Sequence, residues 1–182
     1  REVERVAKNN IMCYINSDII ILSDLSKLLN YLMRIKRDFL VIGKRWDVDI
    51  KNELDFSIKD WKFKKIIFEN GKLHSSKGID YFLYYRGMYA NMPPFAIGRL
   101  AWDNWLVYKA RAKDAQVIDA TQYIKAIHQN HGYISKQPKK SDEGVFNDVG
   151  VEGKRNRDLA NWDGIFSFNI LDATWLIDNN SV

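Results

Sequence analysis

Asn16, Ser17 and Asp18 interrupt an apolar run, CYINSDIIIL over residues 13–22, with three polar side chains. Transferring an unpaired carboxylate out of water is prohibitive, so the trio must be paired, coordinated or exposed at a strand end. Two readings fit. Asn, Ser and Asp all favour tight turns through bonds to their own backbone. A carboxylate at a strand end can equally grip a cation. Asn16 and Asp18 share a face at period two, and hard ions such as Mg²⁺ or Mn²⁺ take oxygen ligands and accept one imidazole.

A second stretch, PPFAIGRLAWDNWLVYKAR over residues 93–111, sets Asp103 between Trp102 and Trp105. At the start of a helix a carboxylate is favoured electrostatically, and Asp103 can be no more than a first-turn stabiliser. An Asp between bulky aromatics can also accept a proton from a hydroxyl laid against them, and flat aromatic faces suit sugar rings. In AIHQNHGY, His128 and His131 have the spacing to share one helical face. One cysteine and three histidines supply a structural zinc site poorly, so a single imidazole joining Asp18 across the fold is the more economical arrangement. Lys44, Arg45 and Arg99 are cations placed to meet an anionic ligand, and Arg suits bidentate phosphate contacts. The run GKRNR at 153–157 reads by default as a solvated charged face, and HSSKG lacks the glycine spacing of a phosphate loop.

These residues depend on elements that the apolar pattern predicts. Residues 11–15 and 19–22 read as strand on either side of the polar trio. SDLSKLLNYLMRIK carries Leu25, Leu28, Leu29, Leu32 and Ile35 at helical spacing, with Ser23 or Asp24 as cap. FLVIGKRWDVDI reads as one strand with Asp47 and Asp49 on one face, and residues 79–85 as another. WKFKKIIFE fits strand or helix. GRLAWDNWLVYKARA reads as a helix, AQVIDAT as a short strand, TQYIKAIHQNH as a short helix or turn, KQPKKSDEG as a polar linker, and the tail ends in a strand. Strands alternating with helices indicate an α/β architecture. Trp-Asp recurs at 46, 102 and 162, but intervals of about 56 and 60 residues do not fit the ~40–45 of propeller blades, so no repeat is read.

The chain has 182 residues, 46% of them hydrophobic, enough to bury the core of one domain. A net charge of +5 suits an anionic small ligand; it is too mild, and accompanied by no recognised motif, to indicate nucleic acid. No stretch approaches the ~20 apolar residues of a membrane span, and the charged opening REVERVAKNN is not a signal peptide. The lone Cys13, in an apolar run, reads as a buried small hydrophobe in a reducing compartment, the cytoplasm.

Taken in order, YINSDIIIL, IGKRWDVDI, GIDYFLYYRG, PPFAIGRLAWDNWLVYKA, VIDAT and AIHQNHGY resemble the GT-A glycosyltransferase fold, in particular its nucleotide-diphospho-sugar transferase-like group. The likeness covers about residues 11–133 and continues weakly through GKRNRDLA and LDATWLID; PPFAIGRLAWDNW is its strongest part. The resemblance implies a single GT-A-like domain over 1–182, with a core at 11–133 and a C-terminal extension at 134–182. Its architecture would be a three-layer α/β arrangement around a mixed, mostly parallel central sheet. It implies transfer of a sugar from a nucleotide-diphosphate donor to a carbohydrate or other hydroxyl acceptor, assisted by Mn²⁺ or Mg²⁺. A non-catalytic carbohydrate-binding domain on the same fold is the alternative. The family's D-x-D motif matches Asn16 to Asp18, with Asn in place of the first Asp. That departure makes Asp18 the metal ligand and Asn16 a contact to ribose or a metal-bound water. A histidine completes the metal shell, His131 by a narrow preference over His128, and Asp103 matches the general base. Arg45 or Arg99 would brace phosphate, Asp80 would hold donor-sugar hydroxyls, and Trp102 would stack on the acceptor. GT-A folds open with strand–helix units that bind the nucleotide, and nothing before residue 11 supplies them. The resemblance therefore implies further chain upstream, or a reduced domain whose strand at 11–15 keeps an unpaired edge that invites oligomerisation.

Overall fold

A computed structural model describes residues 2–51, 53–54, 65, 69–130, 150–161 and 167–180. Helix α1 (Glu2–Val6) leads into β1 (Ile11–Ile15), β2 (Ile19–Ile21), α2 (Leu25–Leu32), β3 (Phe39–Ile42), β4 (Arg45–Val48), β5 (Lys72–Leu73) and β6 (Tyr81–Tyr85). Helix α3 (Trp102–Ala112), β7 (Gln116–Asp119), β8 (Ala126–Gln129), α4 (Gly150–Leu159), a 3₁₀ turn at Ile170–Asp172 and β9 (Trp175–Leu176) follow. Among the described residues no helix is long and apolar enough to cross a membrane.

The larger sheet has the order β1-β6-β3-β7-β9. β6 runs antiparallel to β1 and β3, whereas β3, β7 and β9 run parallel. Strand β3 is buried along its whole length, and its alternation feeds two cores. Leu40 and Ile42 join Phe82, Val117 and the Trp102, Trp105, Leu106 and Val107 face of α3 on one side. Phe39 and Val41 join Tyr81, Leu83, Ile118 and the Leu28 and Leu32 face of α2 on the other. Helices therefore cover both faces of a mixed sheet, which bears out an α/β class. The expectation of a mostly parallel sheet does not hold, because half of the pairings in this sheet are antiparallel.

A second sheet, β2-β8-β4-β5, extends beyond the first. The predicted strand FLVIGKRWDVDI is divided at Gly43 and Lys44, so that β3 lies in one sheet and β4 in the other. The same transfer occurs at residues 16–18 between β1 and β2, and at 120–125 between β7 and β8. This answers the opening question: the polar trio turns the chain from one sheet to the next. Asp24 caps α2, its Oδ1 accepting from Ser26 N at 3.0 Å. Residues 126–129, expected as helix or turn, form strand β8, paired parallel to β4 and antiparallel to β2. Cys13 is exposed, not buried, on β1, which ends its sheet among the described residues. The ambiguous segment at 61–69 and the linker at 136–144 lie largely or wholly outside the described residues.

Gly43 makes the β3–β4 transfer possible. A Cβ built there would strike the Tyr81 hydroxyl and come within 2.9 Å of Thr121 N, backbone that cannot yield easily. Thr121 in turn fastens the transfer, because its Oγ1 accepts from Lys44 N at 2.9 Å and donates to Asp119 Oδ1 at 2.5 Å. Overpacking of such a site typically costs about 1–3 kcal/mol. Gly43→Ala should lower unfolding free energy by that amount in a urea melt, and an unchanged midpoint would show that the transfer has room to spare.

Candidate functional site

The site lies where the chain passes between the sheets, beyond the carboxyl ends of β1, β3 and β7, the place where open α/β sheets bind ligands. Antiparallel β6 brings its amino end to the same rim, so Asp80 stands beside the polar trio. Asn16 N donates to Asp80 O at 2.9 Å, and Asn16 Nδ2 donates to Asp80 Oδ1 at 2.6 Å. Tyr14 OH donates to Asn16 Oδ1 at 3.1 Å. The trio's first residue is thus committed to holding the turn.

Arg45 sits at the centre. Its Nη1 donates to Asp80 Oδ2 at 2.9 Å and its Nε to Asp47 Oδ1 at 2.8 Å, with only 11% of its side chain exposed. Both Asp80 oxygens are therefore engaged, one by Asn16 and one by Arg45. Strand register supplies the next member: Asp47 of β4 and His128 of β8 are Cα partners. His128 Nδ1 lies 3.3 Å from Asp47 Oδ1, and its Nε2 lies 3.4 Å from Asp18 Oδ2. His74, after β5, places Nδ1 2.5 Å from Asp47 Oδ2.

Asp18, Asp47 and Asp80 against one guanidinium leave a net charge of −2 when both imidazoles are neutral, the charge a divalent cation balances. The Asp18–His128 separation of 3.4 Å is close to the ~3.0 Å between neighbouring ligands at ~2.1 Å and right angles on a small cation. Two protein ligands suffice for Mg²⁺-like ions, which complete their shell with water and substrate phosphate. Among the described residues no three His, Cys, Asp or Glu side chains form a group that could hold a metal ion, so Asp18 and His128 are the pair available to one. Burial and the Arg45 charge depress the His128 pKa against the pull of the nearby carboxylates, which favours the neutral, ligating form. Burial raises the Asp47 pKa, but the hydrogen bond from His74 and the charge and hydrogen bond of Arg45 outweigh it and keep this group ionised.

Asp103 opens α3. Ala101, with φ 81° and ψ −25°, caps the helix without a side-chain bond, and Asn104 N donates to Asp103 Oδ1 at 2.9 Å. The carboxylate therefore does stabilise the first turn. Burial also drives its pKa up to about 6, with the Asp80 charge adding to the rise against those backbone bonds. Tyr14 links the two halves of the site, its ring edge-on to Trp102 with centroids 4.8 Å apart while its hydroxyl reaches Asn16. The loop before α3 is fixed by a buried Asn156 on α4, which accepts from Ala96 N at 2.8 Å and donates to Ala96 O and Leu100 O.

The structure thus brings together Asn16, Asp18, Arg45, Asp80 and His128, with Asp103 near enough to feel Asp80. Arg99 is exposed on the loop ahead of α3. Trp102 is 5% exposed and enclosed by Tyr14 and Phe82, and Trp105 is packed on Tyr89 and Phe95. Both are core residues, so Trp102 offers no open face for stacking an acceptor. His131 lies outside the described residues. Sequence reasoning missed Asp47 and His74. The alternation of Arg45 and Asp47 in KRWDV was the available signal for the first; nothing marked the second. Comparisons with protein-family models, with curated proteins and with solved structures find no match for this chain.

The raised Asp103 pKa has a defined consequence for stability. The native state holds this proton more tightly than the unfolded chain, so the group's contribution falls as pH rises from about 4 to about 6. Asp103→Asn removes that loss. Its melting temperature relative to wild type should be lowest near pH 4 and climb to a plateau above pH ~7; a difference independent of pH would show that the carboxyl is not perturbed.

Proposed function

We propose that this chain is a metal-dependent nucleotide-sugar glycosyltransferase, or a portion of one, moving a sugar from a nucleotide-diphosphate donor to an acceptor hydroxyl. The observation that carries the reading is the approach of Asp18 and His128 to 3.4 Å within a cluster of three carboxylates and one guanidinium. A divalent cation at that point would offset the charge that develops on a departing diphosphate. The order of sequence motifs that resembles the nucleotide-diphospho-sugar transferase-like group supports the same assignment.

In this reading Asp18 and His128 hold the ion, and Asn16 keeps the turn that presents Asp18. Arg45 is engaged by Asp47 and Asp80, so the exposed Arg99 is assigned the phosphate. Asp103 takes the proton from the acceptor hydroxyl as it attacks the anomeric carbon. With a pKa of about 6 it is ionised at neutral pH yet more basic than an ordinary carboxylate, which suits a general base.

Two measurements test this. Mn²⁺ together with a panel of nucleoside diphosphates should raise the melting temperature by roughly 5–10 °C near saturation, and Asp18→Ala should abolish the shift. Absence of a shift with every nucleotide overturns the reading. Turnover of a donor should rise with pH through about 6, and Asp103→Asn should lower it about 10²–10⁴-fold while leaving donor affinity intact. Undiminished turnover would remove Asp103 from the chemistry.

A further inference from the structure

Helix α4 carries the run GKRNR, whose Lys154 and Arg155 are exposed as a solvated charged face requires. Asn156, in the same run, is fully buried, and with Gly153 it forms the inward side of the helix. Its amide is used in full. Oδ1 accepts from Ala96 N at 2.8 Å, and Nδ2 donates through both protons, to Ala96 O at 2.9 Å and to Leu100 O at 3.0 Å. These partners fix which end of the amide is oxygen, because Oδ1 alone can face an N–H and Nδ2 alone two carbonyls. The bonds also bracket a loop. Between the two anchor points Ile97, Gly98 and Arg99 are exposed, and Gly98 has φ 76°. Directly after Leu100, Ala101 has φ 81° and opens α3. A positive φ at a residue other than glycine persists where surrounding contacts over-determine it. Asn156 supplies such contacts at both ends of the stretch that leads into Ala101.

We propose that Asn156 is a positioning residue: it clasps residues 96–100 at both ends and so holds Arg99, at the exposed tip, ready to meet a diphosphate. A loop that must be ordered at the moment of binding costs affinity, and one fixed beforehand does not. Asn156 therefore acts on the ligand only through the loop, 56 to 60 residues away in sequence. The phosphate role of Arg99 rests on the transferase reading above; the clasp itself does not.

The test begins with no ligand present. Amide hydrogen exchange of the whole chain, read by NMR, should show the Ala96 N–H protected in the wild type. Asn156→Ala should speed its exchange at least about tenfold while the amides of the buried strand β3 keep their protection. An Ala96 amide that exchanges at the rate of free chain in the wild type overturns the clasp, even if Asn156→Ala does not fold; so does an unchanged rate in a folded Asn156→Ala. The second measurement is a double-mutant cycle on the affinity for nucleoside diphosphates with Mn²⁺. Arg99→Ala should weaken binding about 10–100-fold, the loss expected for a hydrogen bond to a charged group. Asn156→Ala should weaken it about tenfold, and the double variant should bind no more weakly than Arg99→Ala alone, because both changes remove the same contact. A merely structural Asn156 would give losses that multiply, which overturns the positioning role and leaves the transferase reading standing. A protected Ala96 in a protein that binds no nucleoside diphosphate upholds the clasp and sinks the transferase reading, and with it the role given to Arg99.

Discussion

Three carboxylates are gathered at the junction of two sheets, and they repel one another unless a cation stands among them. Among the described residues Arg45 is such a cation. It joins Asp80, at the start of a strand in the larger sheet, to Asp47, on a strand of the smaller one. Removing one partner of a pair this deeply placed leaves an uncompensated charge, which generally costs about 3–5 kcal/mol. Arginine suits the position because its planar fork meets two acceptors at once and cannot shed its proton. Everything else at the site follows from this bridge: Asp80 fixes Asn16, Asn16 fixes the turn that carries Asp18, and Asp47 faces His128.

The bridge requires the chain to change sheets at one level. Three transfers, at 16–18, 43–44 and 120–125, lie there because β1, β3 and β7 all end on the same rim, and the first two use small or turn-forming residues. At Gly43 no side chain fits between Tyr81 and Thr121. At 16–18 the polar trio satisfies its own turn, with Ile19 N donating to Asn16 O at 3.2 Å. The turn reading and the cation reading of this trio are therefore compatible, since one residue makes the turn and the other is presented by it.

Local pattern carried much of this information. The Leu28 and Leu32 stripe of α2, its Asp24 cap and the apolar runs of β1, β3 and β6 were legible because burial on a helix face or a sheet writes itself into neighbouring residues. Pairings between distant strands leave no such trace. Asp47 meets His128 only through a parallel register, and His74 arrives from a loop 27 residues beyond Asp47. The strand at His128 escaped detection because four residues, AIHQ, are too short to distinguish period two from period 3.6. Trp102 illustrates the opposite error, in which a residue type suited to ligand contact was spent on the interior.

Asp103 shows why residue type alone could not decide its role. Its position at the head of α3 explains its bond to Asn104 N as ordinary helix stabilisation. That same position, on a buried face and within the field of Asp80, makes the ionised form harder to hold and its pKa higher. Backbone bonds offset part of the strain, while Ala101 in the left-handed region adds some of its own immediately before it. A group placed only to stabilise the helix would gain from exposure to water and distance from other acids. Asp103 is only partly exposed and lies within the field of Asp80, next to Trp102, whose ring meets Tyr14. Local departures of this kind cluster at functional sites, and structural ion-pair networks produce perturbed titratable groups as well.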